Sequence, residues 1–311
     1  MRAARLYAPG DLRIEDVPKP TAGPGEVLVQ IEVALTDGTD LKTYRRGHPL
    51  LAQTSPAPFG HEFCGLVDGR RVVAANSAPC AACAGCARGG QCQALHFLAG
   101  AYADWLVVPE RIAAVNLHDV PRGLAAEVAA MVEPLACCLR GIERAGIEPG
   151  DRVAILGAGP IGLMLCACVA DAGGRPVVVG AGDERREELA RAFGGGVGEA
   201  RGADIVIEAA GTEQAWLDAA ALVRPGGTVV LFGGLPRDAR PQVDAYRLHY
   251  DELTVRGSFH HTPATVRAAL AFLASGAYPW ERLVTHHVLL EELPALFADP
   301  PDGLLKAAVT P

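Results

Sequence analysis

Arg152-Val-Ala-Ile-Leu156-Gly157-Ala-Gly159-Pro-Ile-Gly162 decides the fold of this chain. Residues 152–156 are a compact apolar run that reads as a buried strand. It leads straight into three spaced glycines, and Ile161 to Ala172 then reads as a helix. Strand, Gly-x-Gly-x-x-Gly and helix in that order are the fingerprint of a dinucleotide site. Gly157 allows the tight turn, Gly159 lets the backbone approach a pyrophosphate, and Gly162 lets helix and strand pack closely. Pro160 and Ile161 open the helix, whose free N–H groups face the phosphates.

Working outward, Val177–Val179, Ile205–Ile207 and Thr228–Phe232 read as further strands. Helices at Glu184–Phe193 and Glu213–Val223 lie between them. That alternation predicts a parallel sheet with crossover helices. Upstream, Leu124 to Ala145 reads as one helix closed by Gly146. Residues 1–110 have a different rhythm. Val27–Val33, Arg71–Ala75 and Trp105–Val108 are short β segments between turn signals, which suggests a small barrel or sandwich. The last 50 or so residues hold helices around Ala264–Ser275 and Leu290–Phe297. A strand-like tail at Leu304–Val309 is expected to return to the first domain.

Composition agrees with two domains. A chain of 311 residues exceeds what one core usually supports. Half of it is hydrophobic, which excludes wholesale disorder. The net charge of −8 argues against nucleic acid or an anionic membrane as partner. No apolar run reaches the ~20 residues of a spanning helix. The first ten residues lack the apolar stretch of a signal peptide. Nine cysteines without such a signal speak for reduced thiols and a cytoplasmic setting.

Four of those cysteines form a group. Cys80-Ala-Ala-Cys83-Ala-Gly-Cys86-Ala-Arg-Gly-Gly-Gln-Cys92 brings four thiolates together on short turns, a donor set that suits tetrahedral Zn²⁺. With all four positions cysteine, no ligand is left for water, so this zinc would be structural. A redox pair needs two cysteines and not four. The other five, at 64, 137, 138, 166 and 168, read as small buried fillers.

The second strand should end in an acid that binds the adenosine ribose. Gly180-Ala181-Gly182 has none there; Asp183 comes late, and Arg185 and Arg186 follow. The missing carboxylate and a nearby arginine favour NADP over NAD. The alternative leaves both arginines in solvent on the next helix.

Further short motifs carry acids and histidines: Thr36-Asp-Gly-Thr-Asp40, Phe59-Gly-His-Glu62 and Val132-Glu-Pro-Leu-Ala136. In order with Gly23-Pro-Gly-Glu-Val-Leu-Val29, the four cysteines, Gly100-Ala-Tyr-Ala-Asp-Trp105, the glycine loop, Gly202–Gly211 and Arg224-Pro-Gly-Gly227, they cover nearly the whole chain. So ordered, the chain resembles the zinc-dependent medium-chain dehydrogenase/reductase family, in its polyol, glucose and threonine dehydrogenase branch. The resemblance implies an α/β protein. A GroES-like β-barrel catalytic domain (1–133, completed by 262–311) joins a Rossmann doubly wound cofactor domain (134–261). It implies a catalytic metal in the cleft between them, two zincs per chain and NADP or NAD.

The resemblance also implies roles. His61 matches a metal ligand, Glu62 a neighbouring or alternating ligand, and Glu133 a glutamate that approaches the metal directly or through water. Asp37 stands where the family has a cysteine ligand. An aspartate can still ligate zinc at ~2.0–2.2 Å, as a harder donor than thiolate. Asp40 matches the acid that orients His61. Thr39 matches the hydroxyl that relays the substrate proton, and Lys42 occupies the place of a relay histidine. Tyr44 would line the pocket. The substrate would be an alcohol, polyol or ketone, and the assembly a homodimer or homotetramer. Relatives run longer. The segments 63–68 and 194–202 are where this chain is trimmed.

Two other readings stay open on sequence. One is a cofactor-binding homologue with an altered or lost catalytic metal site, for which Asp37 and the absent relay histidine would be the first marks. The other is a zinc-knuckle module for nucleic acid, which the negative charge disfavours.

Overall fold

The computed structural model describes residues 1–47, 54–180 and 182–311. The chain divides into two compact units, Met1–Pro134 with Thr262–Pro311, and Leu135–His261.

The first unit is mostly β. Its strands are β1 (Arg2–Ala8), β2 (Asp11–Asp16), β3 (Val27–Leu35), β4 (Ala57–Pro58), β5 (Glu62–Val67), β6 (Arg70–Ala74), β7 (Trp105–Val108) and β8 (Leu117–Asp119). Short helices punctuate them: α1 (Gly38–Arg46), α2 (Ala84–Ala87), α3 (Glu110–Asn116) and α4 (Ala126–Ala129). In β3, Val29, Ile31 and Val33 are buried at period two, so one face meets the core. Asp68 and Gly69 both have positive φ (48° and 78°). That pair closes β5 onto β6 in the tightest hairpin geometry, which is how the trimmed connector is accommodated.

α5 (Val132–Ala145) follows, and the unit boundary falls within it. The expected single helix over 124–145 is therefore two. Pro134 has no N–H to give the Ala130 carbonyl, and its ring crowds that carbonyl, so the helix stops at Ala129–Ala130 and restarts at Val132. Ala129, Ala130, Met131 and Val132 are all fully buried at the break.

The second unit holds β9 (Arg152–Leu156), β10 (Arg175–Val179), β11 (Gly196–Val197), β12 (Ala203–Glu208), β13 (Val223–Leu231) and β14 (Thr254–Gly257). All pairings are parallel, in the order β11-β10-β9-β12-β13-β14. Renumbered from β9, this is the 3-2-1-4-5-6 order of a Rossmann sheet, with its switch point beside β9. Helices α6 (Pro160–Asp171), α7 (Glu184–Ala192), α8 (Glu213–Leu222) and α9 (Ala245–Tyr250) connect the strands. Residues 162–169 of α6 are all buried, as a helix covered on all sides requires.

The chain then returns to the first unit through α10 (Pro263–Ala274), β15 (Val284–Leu289), α11 (Leu293–Ala298) and β16 (Lys306–Thr310). β16 runs antiparallel to β3, with Ala308 opposite Leu35, and parallel to β15. The sheet β15-β16-β3-β5-β6-β8 thus joins both ends of the chain, and β7 pairs on β3 beside it.

Candidate metal centres and the cofactor loop

Asp37 is placed by helix geometry. It is the N-cap of α1, and its Oδ1 accepts the Asp40 N–H at 2.7 Å. Aspartate is among the best residues for this position. The second oxygen of Asp37 lies 3.7 Å from His61 Nε2, too far for a hydrogen bond.

His61 is buried just ahead of β5. Its Nδ1 lies 3.2 Å from Asp40 Oδ1, so with Nδ1–H donated there Nε2 is the nitrogen left to face a metal. Asp40 is itself held by Tyr102, whose hydroxyl lies 2.5 Å from Asp40 Oδ2 and 3.0 Å from the Leu35 carbonyl oxygen. Donor atoms of Asp37, His61 and Glu62 all lie within 4.8 Å of one another.

Glu62 is fully buried and is not alone. Lys306 Nζ from β16 donates to its two oxygens at 2.8 and 2.6 Å, and to the Thr36 carbonyl at 3.2 Å. Burial pushes the Glu62 carboxyl up to about 8 while Lys306 pulls it back down, and the two short bonds from one Nζ are those of an ammonium on a carboxylate. Burial would strip the proton from Lys306, but Glu62 and Asp37 hold it above the usual lysine range. Sequence reasoning missed both Lys306 and Tyr102. The available signal for Lys306 was a lone lysine inside the apolar run Leu304–Val309.

The cluster holds more carboxylates than cations. Burial disfavours a charge on His61, yet Asp37 and Asp40, with Glu133 adding to them, hold its imidazolium well above the usual histidine range. The same excess of negative charge suits a divalent cation. The donors, one imidazole and several carboxylates, fit zinc without a thiolate. Glu133 is buried in the first turn of α5. Lys42 lies on α1, three residues after Thr39 and half-buried. Tyr44, expected to line the pocket, stacks on Phe297 with centroids 5.7 Å apart and donates to the Gly10 carbonyl at 3.2 Å. Its ring and hydroxyl are committed to the barrel.

The four-cysteine loop folds as a ligand shell. Donor atoms of Cys80, Cys83, Cys86 and Cys92 all lie within 4.8 Å of one another. Backbone N–H groups point at the sulfurs: Cys80 to Cys92, Cys83 to Cys80, Cys86 to Cys83 and Gln93 to Cys83, at 3.3–3.4 Å. Hydrogen bonds from Gln93 and Cys86 pull the Cys83 thiol down to about 6, so it is readily a thiolate. Gly85 cannot be replaced here, since a Cβ would meet the Gln91 carbonyl oxygen at 1.9 Å. Of the remaining cysteines, 64, 138, 166 and 168 are buried, while Cys137 is half-buried.

In the second unit, Gly157 has φ +109°, and a Cβ on Gly162 would strike the Gly157 carbonyl oxygen at 1.9 Å. Gly159 caps α6 with open space where its Cβ would be, and Pro160 is the first residue of the helix. A pyrophosphate can approach there. Asp183 caps α7 and also pairs with Arg186 at 3.3 Å, so that arginine is partly neutralised. Arg185 is exposed. Ala181 lies outside the described residues. Glu208, also missed, is fully buried at the end of β12 and accepts N–H bonds from Gly211 and Gly233 at 2.6 and 3.2 Å. It ties together two loops at the carboxyl ends of the strands, where such sheets bind ligands.

Comparison with known proteins agrees with this geometry. Residues 23–122 match the alcohol dehydrogenase GroES-like domain, and 160–275 match the zinc-binding dehydrogenase domain. Erythritol/L-threitol dehydrogenase of Mycolicibacterium smegmatis is 31% identical, over 94% of this chain and 92% of that protein. L-Threonine 3-dehydrogenase of Streptomyces avermitilis is also 31% identical, over 94% and 93%. Among solved structures, a chain from Sinorhizobium meliloti assigned to the zinc-binding dehydrogenases and bound to NADP superposes with a TM-score of 0.89. It is 30% identical, and the match covers 100% of this chain and 99% of that one. The first of these alignments spans 343 positions, more than the 311 residues here, so that relative carries internal insertions.

Proposed function

The chain belongs to the zinc-binding, alcohol dehydrogenase-like family, and we propose that it moves a hydride between a secondary alcohol, of polyol or sugar type, and NAD(P). The reading rests above all on the convergence of Asp37, His61 and Glu62 donor atoms within 4.8 Å. Asp37 and His61 would hold the catalytic zinc, with Glu133 approaching it directly or through water. Glu62, paired with Lys306, is the alternating ligand of the set. Cys80, Cys83, Cys86 and Cys92 would hold the structural one.

Zinc, when bound, supplies a Lewis acid that lowers the pKa of the alcohol. NAD(P), on the loop from Gly157 to Gly162, supplies the hydride acceptor. Asp40 fixes His61 with Nε2 towards Asp37, and Tyr102 fixes Asp40. Thr39, two residues after Asp37, accepts the substrate proton as its own hydroxyl proton passes on. From there Lys42, near it on the same helix face, water or the cofactor ribose completes the relay to solvent.

The substrate class follows relatives that include an erythritol/L-threitol dehydrogenase and sorbitol dehydrogenases. NADP is the favoured cofactor, through Arg185. None of the nine cysteines is in a disulfide. No described helix is long and apolar enough to cross a membrane. The assembly would be a dimer or tetramer built through β14. That strand has one partner among the described residues, β13. Val255 on it and Phe259 just after it are exposed, at 40% and 56%.

Metal analysis with a substrate screen tests the reading. Two zincs per chain are expected, one lost to mild chelation together with turnover of polyols. One tightly held zinc and no turnover on any alcohol, with either cofactor, would sink it in favour of a cofactor-binding homologue.

A further inference from the structure

Arg111 lies on α3, outside the cysteine motif, yet its guanidinium is directed wholly at the cysteine loop. Nε donates to the Pro79 carbonyl at 3.1 Å, just before Cys80. Nη1 donates to the Ala94 carbonyl at 2.9 Å, just after Cys92. Nη2 reaches Cys92 Sγ at 3.5 Å. One planar fork thus ties the two ends of the loop and brings a permanent charge to a sulfur.

The other sulfur contacts described above come from backbone amides, which no side-chain substitution removes. Four thiolates around a dication leave a net charge of −2. A cation beside one sulfur stabilises that charge, and a charge-assisted bond is stronger than a neutral one. Partners behind metal ligands commonly change metal affinity by about 10–100-fold.

We propose that Arg111 is a positioning residue of the four-cysteine centre, closing the loop and stabilising negative charge on the Cys92 sulfur, so that it slows loss of the metal. The proposal rests on the reading of these four cysteines as a zinc site. Asn116, on the same helix, supplies a control. It is fully buried and donates to the Ser77 carbonyl at 2.7 Å, tethering the loop without reaching a sulfur.

The test uses the zinc-loaded enzyme and its R111Q, R111K and N116S variants. Zinc release to excess 4-(2-pyridylazo)resorcinol should be about tenfold or more faster in R111Q. In R111K, which keeps the charge and loses the fork, it should be intermediate. With cobalt in the lobe, the thiolate-to-metal charge-transfer band should move to longer wavelength in R111Q and stay in place in R111K and N116S, because only R111Q removes the charge from the sulfur. Wild-type release and band position in R111Q, or an equal band shift in N116S, would overturn the proposal alone. A wild-type chain holding no zinc that C83S removes would overturn the zinc reading, and the proposal with it.

Discussion

Asp37 has two jobs that can be separated. Oδ1 caps α1 through one hydrogen bond of 2.7 Å, and Oδ2 faces His61 Nε2 at 3.7 Å. Asn caps a helix about as well as Asp, whereas Ala at an N-cap costs about 1 kcal/mol. D37N should therefore keep the cap and lose only what the charge gives His61 and Lys306, a loss it shares with D37A. D37A should lose about 1 kcal/mol more, or about 2–4 °C in Tm for a unit of this size. At the metal the two should behave alike, because both remove the anionic ligand. Changes behind the ligands already cost about 10–100-fold in affinity, so loss of a ligand should cost about 100-fold or more. D37C restores the soft thiolate and should bind zinc more tightly than wild type. The assay is zinc content after dialysis against graded chelator, alongside thermal unfolding and turnover. If D37N kept both zincs and full turnover, Asp37 would be a helix cap only and the ligand argument would fail.

Three further outcomes follow from the structure. K306M leaves Glu62 buried without its cation and should cost about 3–5 kcal/mol in urea unfolding, with E62Q/K306M recovering most of it; a loss below about 1 kcal/mol would show that the pair is not needed. Asp204 is held below its ordinary value by Arg224, at 2.7 Å, and by the Arg152 N–H, at 2.8 Å. Its folded pKa is depressed, so its stabilisation is present above the unfolded value near 3.8 and lost as pH falls through the folded one. D204N should cost about 1 kcal/mol at pH 7, and the gap to wild type should narrow below about pH 4; a gap that is flat with pH would contradict this. Fluorescence titration should find NADPH bound more tightly than NADH, with R185A reducing that preference about tenfold and R186A much less, because Arg186 already pairs with Asp183. Tighter NADH binding in the wild type would reverse the cofactor assignment.

The two units differ in how far their sequences could be read. The glycine loop and the strand–helix alternation of 152–232 are local patterns, and β9, β10, β12, β13 and α6 to α8 lie within about five residues of the expected bounds, whereas the short β11 falls in the stretch 194–202 that was read as trimmed. β14 and α1 were not anticipated. β14 has four residues, and α1 is entered through a motif that reads first as chemistry. The split at Ala130 has a local signal in Pro134, four residues on, which the reading of one helix over 124–145 passes over.

The sequence alone determined whatever depends on neighbours along the chain. That includes the four cysteines on short turns, the cap at Asp37, the glycines that a turn requires and the parallel αβ order. Only the tertiary structure decided which charges meet. Glu62 and Lys306 are 244 residues apart, and Asp40 and Tyr102 are 62 apart. The insertion of β16 beside β3 carries Lys306 into the interior, where a charge is tolerated only against an opposite one. Periodicity marks position 306 as part of a strand. It cannot say that a carboxylate waits on the other side.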